Sequence, residues 1–114
     1  MLRAVCLLGL LALPGLARGA PCTPIRFAKG HSSAVITGKA PVDDVVCYTL
    51  ATGAGQHARL KILTGANTVF SIDGLVDAQD NYSFTTAHKS YEITVGQLNR
   101  ATEAEAFSLE VGVK

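Results

Sequence analysis

Bulky apolar side chains recur at every second position in several short stretches of this chain. Val46, Tyr48 and Leu50 form one such row. Ala58, Leu60 and Ile62 form another, with Arg59 and Lys61 between them, and Phe70 and Ile72 follow. Tyr91, Ile93 and Val95 alternate with Glu92 and Thr94, and Phe107, Leu109, Val111 and Val113 alternate with Ser108, Glu110 and Gly112. A period of two with one apolar face marks half-buried antiparallel strands. No stretch carries a convincing helical period. Residues 25–28, 34–37 and 82–86 are weaker strand candidates. Turn-forming residues fall between the runs, at 29–32, 53–56, 64–67 and 88–90. About eight short strands at this spacing predict an all-β fold, an antiparallel β-sandwich, because each strand must cover one apolar face. Tyr48, Leu50, Leu60, Ile62, Phe70, Ile72, Tyr91, Ile93, Phe107, Leu109 and Val111 share those inner faces and are the expected core. Residues 98–106 are the longest polar interruption and are expected to hold a helical turn or a protruding loop.

The first residues change the picture of where the chain works. Arg3 begins it with a positive charge, residues 4–13 are apolar and uncharged, and Pro14 and Gly15 break the run. Ala17-Arg18-Gly19 then places small residues at the −3 and −1 positions of a cleavage site. This is the layout of a secretory signal peptide. The apolar run is shorter than the roughly 20 residues that a transmembrane helix needs. Residues 1–19 therefore read as a signal peptide and residues 20–114 as a single β-sandwich domain. A periplasmic or secreted location is expected, with no membrane insertion after cleavage. Losing Arg3 and Arg18 leaves 8 Lys and Arg against 9 Asp and Glu. So nearly neutral a surface argues against nucleic acid and anionic membranes as partners.

Cys6 leaves with the leader, so Cys22 and Cys47 remain. In an exported chain a structural disulfide is the expected state. A metal or redox pair is the alternative. It lacks a CxxC motif and any ligand-like spacing of His31, His57 and His88. No metal and no cofactor is expected. Catalysis finds equally little support. No G-x-S-x-G elbow is present, and neighbours such as His31 and Ser32 point to opposite faces on extended backbone. The chain is read as a non-enzyme. Asp73, Asp77 and Asp80 cluster after Ile72 and are candidates for a cation site, but the EF-hand pattern is missing. A solvated acidic loop is the plainer reading.

The run Phe27-Ala28-Lys29-Gly30-His31-Ser32-Ser33-Ala34 resembles the opening of the periplasmic inhibitors of g-type lysozyme. Similar features follow in the same order: Gly38, Tyr48-Thr49-Leu50, Gly55-Gln56, Tyr82-Ser83-Phe84, Tyr91-Glu92-Ile93-Thr94-Val95 and the closing strand to Lys114. The resemblance covers nearly all of residues 20–114. It implies an antiparallel β-sandwich, in agreement with the periodicity, and a protein that blocks the cleft of g-type lysozyme. Such a cleft carries catalytic carboxylates. Arg side chains on inserted loops suit it, because Arg–carboxylate pairing is charge-assisted and can be bidentate.

Inhibitors of this kind insert a Tyr from the loop before the Tyr-Thr strand and two Arg, four residues apart, from the loop before the last strand. In this chain the resemblance puts Asp43 at the Tyr position and Asn99 and Glu103 at the Arg positions. Arg100 lies one residue from the first of these and is the cation left to serve. Asp43, Asn99, Arg100 and Glu103 are therefore the candidate lysozyme-facing residues. Glu103 would set like charge against catalytic carboxylates. The alternative reading is an envelope module on the same fold that binds peptidoglycan or another envelope glycan, or is structural, with no enzyme target. A Ca²⁺-dependent module comes third.

Overall fold

The computed structural model describes residues 21–114. The expected signal peptide at residues 1–19, its cleavage site and Cys6 lie outside the described residues. Nine strands follow in order: β1 Thr23–Pro24, β2 Ser33–Ala40, β3 Val45–Thr52, β4 His57–Thr64, β5 Thr68–Ile72, β6 Val76–Gln79, β7 Asn81–Thr85, β8 Lys89–Gln97 and β9 Glu105–Val113. They form two sheets, of order β1-β3-β8-β5-β6 and β2-β9-β4-β7. All pairings are antiparallel except that of the two-residue β1 beside β3. The fold is the all-β sandwich that the periodicity predicts. Every connection but the β5–β6 hairpin carries the chain from one sheet to the other. The loops consequently gather at the two ends of the sandwich.

β8 lies inside one sheet, between β3 and β5, and β9 inside the other, between β2 and β4. Tyr91, Ile93 and Val95 of β8 and Phe107, Leu109 and Val111 of β9 are buried. Leu50, Leu60, Phe70 and Ile72 join them in one cluster, as expected, together with Ala40. Tyr48 and Ile62 are only half-buried at its margin. A Cβ built on Gly38 of β2 would come within 3.2 Å of the Tyr48 hydroxyl and 3.1 Å of the Phe107 ring. Tyr48 thus reaches from β3 of one sheet to β2 of the other, where a missing side chain makes room. Burial raises its phenol above the ordinary value of 10.0, so the ring stays neutral at physiological pH.

Two local expectations are corrected. Residues 25–28 are not a strand; only Ile25 N–H pairs, with the Thr49 carbonyl at 2.9 Å. Ile25 and Phe27 still alternate because both pack against the core as the chain crosses between sheets. The stretch after Ile72 is not one acidic loop either. Asp73 sits in a turn, its N–H bonded to the Glu92 carbonyl, while Asp77 lies on β6 and Asp80 follows that strand. The period-two signal fails there because β6 is short and irregular: its register slips against β5, and Ala78 adopts a φ of 48°.

Cys22 and Cys47 form a disulfide, 25 residues apart in sequence. It fastens the start of the described chain to β3. Closing a loop of that size removes chain entropy from the unfolded state, for a stabilisation of about 3 kcal/mol.

The register of β9 generates a test. Phe107 is 2% exposed and inward, and Glu110 lies on the opposite face. Phe107→Ala is expected to cost about 3–5 kcal/mol in chemical denaturation. Glu110→Ala should cost no more than about 0.5 kcal/mol.

Candidate functional site

One end of the sandwich carries the turn between β2 and β3, residues 41–44, and the β8–β9 loop, residues 98–104. The structure sets them side by side. Nη2 of Arg100 lies 3.3 Å from Oδ2 of Asp43. Pro41, Asp43, Val45, Gln97, Asn99 and Arg100 are among the walls of a shallow cleft between them, of about 460 Å³. Asp43, Asn99 and Arg100 are thus brought together, and all three are exposed. Glu103 is exposed on the same loop, with its backbone carbonyl accepting from Nε2 of Gln97 at 2.9 Å. Residues 98–104 form a loop without a helical turn.

Why the turn takes this shape follows from its residues. Asp43 has a φ of 55°, in the left-handed region that Asp tolerates better than bulky side chains do. Asp44 Oδ1 accepts from the Val45 N–H at 2.8 Å and closes the turn. A large aromatic ring at position 43 would meet that backbone unfavourably. Asp43 is thus a residue that this turn prefers.

The β8–β9 loop is held by polar side chains at its base. Asn67, in the turn before β5, pairs with Asn99 in both directions: its Nδ2 donates to the Asn99 carbonyl at 2.8 Å, and its Oδ1 accepts from the Asn99 N–H at 3.0 Å. The Leu98 N–H bonds to the Asn67 carbonyl at 2.8 Å. Glu105, at the start of β9, accepts from the Asn67 N–H and from the Thr68 hydroxyl, the latter at 2.6 Å. Nε2 of Gln97 donates to the carbonyls of both Ala40 and Glu103. Two loops and four strands are therefore joined at this end, which positions exposed groups on a fixed base. Val42, Val45 and Leu98 expose apolar surface here as well, 37%, 50% and 60%. Sequence reasoning missed Asn67 and this apolar component.

The other candidate chemistries find less. Asp73, Asp77 and Asp80 do not gather as a ligand set. Among the described residues, the one group of three His, Cys, Asp or Glu with converging ligand atoms is Cys22, Cys47 and Glu92. Its two sulfurs are joined to each other, so neither is a thiolate. His31 and Ser32 are exposed in the turn before β2.

The Asn67 anchor is testable. Asn67→Ala removes both side-chain bonds to Asn99, groups already close to water, so it should cost about 1 kcal/mol. Amide hydrogen exchange in residues 98–104 should speed up, while that of β8 and β9 stays slow.

Comparison with known proteins adds the last observation. No family model matches the chain, and no curated protein matches it in sequence. Solved structures do. The chain matches a periplasmic lysozyme inhibitor of g-type lysozyme from Aeromonas hydrophila with a TM-score of 0.69 and 29% identity, over 82% of this chain and 96% of that one. The inhibitor from Salmonella Typhimurium gives 0.69 and 22%, over 84% and 100%, a likeness of fold alone. A mutant of the Escherichia coli inhibitor gives 0.65 and 25%, over 81% and 96%. Those proteins are inhibitors, not enzymes, and are described as periplasmic. The resemblance carried by the sequence motifs is thus a likeness of the whole fold, and the chain is lysozyme-inhibitor-like: over about four fifths of its length it is similar to the periplasmic inhibitors of g-type lysozyme.

Proposed function

We propose that this chain is an exported binding protein that docks the end carrying residues 41–44 and 98–104 against the active-site cleft of g-type lysozyme. The supporting observation is the juxtaposition of those two loops on a fold shared with known inhibitors. A periplasmic site of action accords with that likeness and with the leader-like residues 1–19. Arg100 provides the charge that meets a catalytic carboxylate. Its side chain is 77% exposed, so it is available, and Val42, Val45 and Leu98 provide apolar contact beside it.

The charges around Arg100 set how strongly this works. In the free protein Arg100 is paired with Asp43, whose side chain is 57% exposed. A pair this exposed contributes about 0–1 kcal/mol, so exchanging it for a carboxylate in a desolvated cleft costs little. Asp43 itself is then left facing an acidic surface, and Glu103 adds a second negative charge on the same loop. Like charges opposed across a desolvated interface are unfavourable by several kcal/mol.

The test is residual activity of g-type lysozyme against inhibitor concentration. Arg100→Ala should abolish most of the inhibition. Glu103→Arg and Asp43→Asn should each strengthen it, by about tenfold for every 1.4 kcal/mol of repulsion removed. Wild-type inhibition that none of the three variants shifts would exclude this end as the contact. Absence of inhibition at every concentration would refute the reading.

A further inference from the structure

At the end of the molecule opposite those loops, the outer face of the β2-β9-β4-β7 sheet is hollowed to a volume of about 680 Å³. Register explains the hollow. Gly112 of β9 pairs with Ser33 of β2 on one side and with Arg59 of β4 on the other, and Arg59 pairs with Ser83 of β7. The row across four strands thus reads Ser33, Gly112, Arg59, Ser83, and the floor is largely backbone. His57, Arg59 and Glu110 are among the walls.

Folding does not call for glycine at position 112. A Cβ there would meet nothing closer than 3.9 Å, whereas the nearest atom lies at 3.1 Å for Gly38, 2.8 Å for Gly65 and 2.9 Å for Gly96. Its φ is not positive either. Glycine inside a strand weakens it, having no side chain to pack and more entropy to lose. What glycine does at 112 is leave the hollow open.

The lining carries two cations, Arg59 and Lys114, and one anion, Glu110, and neither cation lies within 4.0 Å of that carboxylate. Arg59 Nε donates to Asn81 Oδ1 at 3.3 Å, which steadies the guanidinium and leaves its terminal nitrogens available. Among the described residues the ion pair of Arg100 with Asp43 is the only one within 4.0 Å. Glu110 is therefore without an ion partner, although Lys61 stands opposite it in register. Arg59 and Glu110 are diagonal neighbours, which sets their backbones about 7–8 Å apart. An extended peptide advances about 3.3 Å per residue, so a two- or three-residue peptide is on the scale of that separation and its free ends lie within reach of the two side chains. The one aromatic residue in the lining, Phe84, turns its ring to Tyr82 and Tyr91. The hollow therefore lacks the ring platform on which a sugar would stack.

We propose that this hollow binds a short peptide with both ends free, its carboxylate on Arg59 and its ammonium on Glu110, with the Ser33 and Ser83 hydroxyls beside its backbone. The site is independent of the lysozyme-facing loops.

The experiment is a titration of isotope-labelled protein, following the amide resonances of residues 33, 59, 83 and 112. The probes are trialanine, trialanine acetylated and amidated at its ends, and an N-acetylglucosamine trimer. Trialanine should shift these resonances saturably, with a Kd of about 1 mM, as two exposed charge contacts and two serine hydrogen bonds of about 1 kcal/mol each imply. The blocked peptide should bind at least tenfold more weakly, and the sugar should not saturate the site. Gly112→Phe should abolish binding and leave Tm unchanged or higher. Arg59→Ala and Glu110→Gln, which add no volume, should each weaken it about fivefold, as loss of one exposed contact of about 1 kcal/mol implies. Equal binding of free and blocked peptide, saturation by the sugar, or no saturable shift with trialanine would each overturn the proposal.

Discussion

The structure depends on burying the inner faces of β8 and β9 against each other. Each is an interior strand of its sheet. Tyr91, Ile93 and Val95 on one side and Phe107, Leu109 and Val111 on the other have almost no exposed surface. Apolar burial supplies most of the drive to fold, and a slip of one residue in either strand would turn its whole row to water. That constraint sets where the β8–β9 loop leaves the sandwich. The loop ends are then tied by Asn67, Gln97 and Glu105. At the far end the buried Thr86 hydroxyl donates to the Gly53 carbonyl and accepts from the Gln56 N–H. Each end of the sandwich thus has its backbone groups satisfied by side chains from distant sequence.

The parts of the fold that were legible in the sequence are those where one face must be dry. Rows such as Phe107, Leu109 and Val111 show their direction because the intervening residues are polar or small. Residues 25–28 show the limit of that signal: Ile25 and Phe27 alternate, yet they cap the core from a crossing segment. β6 was missed because an irregular strand of four residues, with Ala78 at positive φ, has no period to show. The position of Asp43 beside Arg100 followed from family resemblance alone, since nothing local relates residues 57 apart. Asn67 left no sequence signal at all. Its role exists only because folding brings it to Asn99, 32 residues away.

The two ends of the molecule are chemically different. The loop end combines exposed apolar groups with a cation, Arg100, paired to Asp43, a surface suited to a protein partner but restrained by charge. The opposite end is a polar hollow with separated charges, on a scale suited to a small ligand. The same scaffold as the known inhibitors therefore carries loop residues of its own. Fold sets where a partner can be met, and those residues set how tightly.

In the proposed complex the end bearing Asp43 and Arg100 meets the cleft of g-type lysozyme. Calorimetric titration of g-type lysozyme with this protein tests it most directly, run once alone and once with the cleft filled by a soluble peptidoglycan fragment. A one-to-one complex that weakens with rising salt and is displaced by the fragment is expected. A complex that forms equally well with the cleft occupied, or no complex at all, would contradict it.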